Sequence, residues 1–146
     1  MADDEEVQET EAITESQAEI APAKVTPLDP PKYEIRPKLG EKFQADNVRE
    51  IIIQIMQEQL MGRVYRVDQA PHWAKMIANG VRSKVEDLGM KRYKIMAQTT
   101  IMEMKGAGAK CAQRCIWDPE TDDYAASHYR NDSIFCYTIC YGVYMY

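Results

Sequence analysis

Four cysteines, Cys111, Cys115, Cys136 and Cys140, form two pairs with the same spacing, and four thiolates are what a structural zinc ion takes. On helices each pair would share a face. Both segments read as β-strands, however, where residues four apart lie about 13 Å from each other, too far to share one ion. Reduced thiols acting as small buried hydrophobes are the alternative. Gly106-Ala107-Gly108-Ala109-Lys110 invites a phosphate-loop reading. It lacks the Lys-Ser/Thr ending, and a strand pattern follows it, so no helix N-terminus awaits a phosphate. A hairpin turn accounts for it better. Asp118, Glu120, Asp122 and Asp123 begin like a calcium loop, but Asp123 stands where Gly is needed and Tyr129 where Glu is needed. His72 and His128 have no Ser, Cys or carboxylate at a catalytic spacing. No catalytic, cofactor-binding or metal-ligating residue is assigned, and the chain reads as a non-enzyme.

The elements that carry these residues follow from hydrophobic period. Asn47 with Glu50 reads as a capping box, after which Val48, Ile51, Ile52, Ile55, Met56 and Leu60 keep a helical rhythm up to Gly62. A second helix is expected from near Asp68, with Pro71 in its first turn. Its stripe is Trp73, Ile77, Val81, Val85 and Leu88, and Gly89 closes it. Beyond Gly89 the period falls to two. Tyr93, Ile95, Ala97, Thr99 and Ile101 alternate with Lys94, Met96, Gln98, Thr100 and Met102. Further strands are expected over 109–117, Tyr124 to Tyr129 and Ile134 to Tyr146, with Asn131-Asp132-Ser133 as a turn. The order ααββββ predicts an α+β fold, two helices packed on a four-stranded antiparallel sheet.

Two helices cover only one face of such a sheet. Six of the nine tyrosines lie in the last 23 residues, and the final strand is apolar on both faces. Phe135, Ile139, Val143 and Met145 form one face, and Ile134, Cys136 and Cys140 the other. The uncovered face is therefore expected to meet another subunit.

Charge divides the 146 residues in two. Nine of the 23 acids and two of the 18 bases fall in residues 1–32, leaving 14 acids and 16 bases to the rest. Residues 1–32 hold four prolines and no aromatic residue, so they are expected to be an acidic, intrinsically disordered tail on a domain spanning 33–146. The domain lacks the basic excess that nucleic-acid binding requires. The acidic start is unlike a signal peptide, Ala2 excludes myristoylation, and no apolar run approaches a membrane span. Neither nucleic acid nor membrane is an expected partner, and the cysteines are expected to be reduced.

Several strings together resemble one family. Arg92-Tyr93-Lys94, the Gly106-Ala107-Gly108 turn, Cys115-Ile116-Trp117-Asp118, Asn131-Asp132-Ser133-Ile134-Phe135-Cys136 and Tyr141-Gly142-Val143-Tyr144-Met145-Tyr146 look like the Tctex-type dynein light chains. Glu41-Lys42-Phe43 and the acidic extension are more similar to the Tctex-two-like branch, associated with ciliary dynein. The resemblance implies a strand-exchanged dimer, as homodimer or as heterodimer with another Tctex-type light chain. It also implies binding of the dynein intermediate chain by β-augmentation, in the cytoplasm and cytoskeleton and at the axoneme of a cilium or flagellum. The crossing strand it implies comprises Lys110, Cys111, Ala112, Gln113, Arg114, Cys115, Ile116 and Trp117. Cys111, Gln113, Cys115 and Trp117 would form one face of it, with Ala112, Arg114 and Ile116 on the other. A small cysteine-based metal- or ligand-binding protein on the same scaffold is the alternative.

Overall fold

The structure, a computed structural model, describes residues 34–146; the expected acidic tail lies outside the described residues. Helix α1 runs over Ala45–Leu60 and α2 over Ala70–Glu86. Strand β1 spans Tyr93–Glu103, β2 Asp123–Arg130 and β3 Ile134–Tyr144. The sheet is antiparallel in the order β1-β3-β2, so the last strand in sequence is the central one.

The α+β class agrees with expectation, but the described residues form three strands rather than four. Residues 109–117 are not a strand, and topology explains why. β1 and β2 are each antiparallel to β3, so they run parallel to each other, and a hairpin cannot join parallel strands. After the left-handed Gly106 (φ +76°) the chain must travel back along the sheet before β2 can begin. This return segment makes no turn or bend between Ala107 and Ile116 and has no ladder partner among the described residues. Alternating side chains do not make a strand without an edge to pair with.

The helices keep their expected faces. Val48, Ile52, Ile55, Met56 and Leu60 of α1 are buried against Trp73, Ile77, Val81 and Val85 of α2 and against the sheet. Gly62 (φ +72°) and Gly89 (φ +69°) adopt the left-handed conformation that ends each helix. The expected starts shift. The proposed Asn47 cap lies inside α1 rather than at its start: the helix begins at Ala45, its N-cap is Gln44, and the Asn47 side-chain amide donates to Gln44 Oε1 at 2.6 Å. α2 starts after Gln69, because Asp68 is held by the Arg66 guanidinium at 3.0 Å rather than capping the helix. Pro71 does lie in the first turn.

α1 packs over β2 and α2 over β1. Beneath them lie Ile134, Cys136, Thr138, Cys140, Gly142 and Tyr144 of β3, all buried. Gly142 faces the Phe43 ring, and any Cβ there would fall on ring atom Cδ2 and 2.6 Å from Cε2. The residues just before β2 are tied to the end of β3 and to the start of β1. The Tyr144 backbone N–H donates to Asp122 Oδ1 at 2.7 Å, and the Tyr93 hydroxyl donates to the Thr121 carbonyl at 2.6 Å. Asn131 Oδ1 accepts the N–H groups of Ser133 and Ile134, which makes the expected turn between β2 and β3.

Candidate functional site

The face of the sheet away from the helices carries large side chains on every strand. Met96 and Met102 come from β1, Tyr124 and His128 from β2, and Phe135, Tyr137, Ile139, Tyr141 and Val143 from β3. Strand register puts Met96, Tyr141 and Tyr124 side by side in one row. Trp117 packs on that row, with ring centroids 6.0 Å from Tyr141 and 6.2 Å from Tyr124. His128 stacks on Phe135 at 6.0 Å. Such a face is more apolar than water-exposed sheet surfaces need to be.

The return segment lies across this face and leaves a cavity on either side. One, of about 510 Å³, is lined by Cys111, Ala112, Gln113, Arg114, Cys115 and Trp117 together with Tyr124, Tyr137, Ile139 and Tyr141. The other, of about 550 Å³, lies between Met96, Gln98, Ile116, Trp117, Tyr141 and Val143. Of the eight residues expected in the crossing strand, Lys110 to Ile116 are exposed and Trp117 is half-buried. Ile116 is fully exposed at 107%. The expected separation into two faces is only partly kept, since Ala112 and Arg114 line the first cavity beside Cys111 and Cys115. Sequence reasoning did not place Met96, Gln98 or Tyr124 at the site. The signal available was the β1 face of Lys94, Met96, Gln98, Thr100 and Met102, where two methionines interrupt a polar row.

The two cysteine pairs lie on opposite faces of the sheet. Cys136 and Cys140 are buried beneath the helices, whereas Cys111 and Cys115 are exposed on the other side. Among the described residues no group of three or more His, Cys, Asp or Glu could hold a metal ion. Burial pushes the Cys136 and Cys140 thiols up from the ordinary 9.0 to about 11, and it also raises Tyr137 and Tyr141. Two consequences are measurable. A thiol reagent at pH 8 should label two sites in the folded protein quickly, Cys111 and Cys115, and the other two only on unfolding. Below pH 9 the buried thiols are protonated in both folded and unfolded chains, so they add no pH dependence. Between about 9 and 11 the unfolded chain loses their protons first, so stability should fall with rising pH. Denaturant midpoints across that range would check the sign, and Cys136→Ala with Cys140→Ala should flatten the slope.

Comparison with known proteins agrees with the architecture. The Tctex-1 family pattern matches residues 42–143, which includes both helices and nearly all of the sheet. The dynein light chain Tctex-type protein 2B of Danio rerio is 40% identical over 114 residues, covering 78% of this chain and 76% of that one. The proteins of the same name from Mus musculus and Homo sapiens are 33% and 32% identical over the same share of this chain, covering 79% and 80% of their own lengths. No described helix is long and apolar enough to cross a membrane. The helices, the sheet and the sequence shared along them make this chain a member of the Tctex-1 family, among the Tctex-type dynein light chains.

Proposed function

We propose that the chain is a non-catalytic, dimeric adaptor that binds the N-terminal region of a dynein intermediate chain and helps assemble the base of an axonemal, outer-arm-like dynein. Its second subunit is another Tctex-type light chain or a second copy of itself. The observation that carries this reading is the unpaired return segment beside open sheet edges. Among the described residues β1 and β2 each pair on one side, and Lys110 to Ile116 are exposed with no edge to join. A partner sheet supplies that edge. Exchange of residues 110–117 onto the open side of the partner's β2 would complete a fourth strand. An extended segment of the intermediate chain would then add by pairing its backbone amides, with its alternate side chains entering pockets. The aromatic face around Trp117 and Tyr141 supplies apolar area for both contacts. Such a protein works in the cytoplasm on the microtubule cytoskeleton, within a cilium or flagellum.

Light scattering on the chain, alone and mixed with a second Tctex-type light chain, should report a dimer mass in at least one case. An intermediate-chain N-terminal fragment should be retained by that dimer. Ile116 is fully exposed in the free protomer, so the circular dichroism of Ile116→Asp should be unchanged. Dimerisation and fragment binding should weaken at least tenfold, because a carboxylate replaces an apolar side chain at the interface. Persistent monomers in every mixture would overturn the reading, as would full binding by the Asp variant.

A further inference from the structure

We propose that Cys111 and Cys115 form a thiolation site for a small anionic peptide disulfide of the glutathione class, and that the adduct blocks transfer of the return segment to a partner. The second half rests on residues 110–117 being the crossing strand. Both thiols are exposed, and both line the same cavity of about 510 Å³. That volume suits a peptide-sized ligand. Arg114 and Gln113 line it too. A guanidinium is the side chain whose planar donors fit a carboxylate, and an amide can pair with a peptide group. Tyr137 and Tyr141 add aromatic surface to its lining. The other two cysteines are buried beneath the helices, outside this cavity.

The chemistry is ordinary exchange. A protein thiolate attacks one sulfur of the disulfide, a new S–S bond forms to that sulfur, and the reagent's own S–S bond breaks. The protein sulfur is oxidised, the departing sulfur is reduced, and the leaving thiolate takes up the proton that the protein thiol lost. The adduct has no internal escape. The chain between the two cysteines makes no turn or bend, which keeps their Cα atoms farther apart than the roughly 4.4–6.8 Å that a disulfide spans. Mixed disulfides therefore accumulate at both positions. A strand added to another sheet buries one of its faces, and a charged tripeptide at position 111 or 115 cannot enter that face without an unpaired charge.

The test treats the full chain with glutathione disulfide and follows it by peptide mass mapping and light scattering. Adducts are expected on Cys111 and Cys115, with Cys136 and Cys140 unmodified. The dimer population should fall at least tenfold and return with dithiothreitol. Cys111→Ser with Cys115→Ser should keep its dimer in the oxidant. Absence of adducts, adducts mainly on Cys136 or Cys140, or an adduct-bearing dimer as abundant as the reduced one would overturn the proposal. If the reduced chain is monomeric with every partner, the crossing-strand reading fails together with the block. The adduct map then still decides the thiolation site, which separates the two failures.

Discussion

A chain ending at Cys140 is expected to show no cooperative unfolding transition. Residues 141–144 complete the ladder to β1, pairing with Tyr93 to Met96, and also meet the start of β2 at Asp123 and Tyr124. Tyr144 is the main loss. It is 4% exposed, its ring lies 5.4 Å from that of Tyr93, and its hydroxyl donates to the Glu34 carbonyl at 3.2 Å. Its backbone N–H bond to Asp122 would go as well. Each buried large side chain contributes about 1.5–3 kcal/mol. With the ladder bonds added, the loss approaches the about 5–15 kcal/mol that a domain of this size has in total. Met145 and Tyr146 are exposed, contrary to the expectation that Met145 belongs to an apolar face. A chain ending at Tyr144 should therefore melt nearly as the full chain does. Thermal circular dichroism on the two truncations separates a structural role for 141–144 from a general sensitivity of the terminus.

The second large effect is expected at Gly142. Alanine there places a methyl group on the Phe43 ring, which is itself packed 6.2 Å from Tyr93. Overpacking of this kind costs about 1–3 kcal/mol. Phe43→Ala alone should cost about 3–5 kcal/mol, as for other buried aromatic truncations. The double variant should be less damaging than the two single costs together, because removing the ring removes the clash, with a coupling of about 0.5–3 kcal/mol. Denaturant midpoints of the four proteins give the coupling directly. Strict additivity would mean that Phe43 does not cover Gly142 in solution.

What could be read from the sequence was whatever depends on a residue and its near neighbours. The buried stripes of α1 and α2, the left-handed Gly62 and Gly89, and the side assignments of Tyr93 through Met102 all follow from local period and backbone chemistry. Residues 109–117 could not be read in this way. Their alternation is real, but pairing depends on which edge is free, and that depends on β3 inserting between β1 and β2. Gly106 does turn the chain, yet the turn opens a crossover rather than a hairpin. The start of α1 failed for a smaller reason, since Asn47 could as well satisfy Gln44 as cap the helix. For the site, the tyrosine-rich chain end pointed to the face that the helices leave uncovered. The opposite placement of the two cysteine pairs became clear only once register was known.

The central position of β3 has a consequence for synthesis. Among the described residues β1 and β2 form no ladder with each other, and each pairs with β3. While residues 134–144 remain on the ribosome, the helices can form but no pair of strands can close beneath them. The apolar undersides of α1 and α2 and two unpaired strands stay open until residue 144 emerges, so the domain folds late and in one step. A nascent chain stalled before that point is the form of this protein most exposed to aggregation.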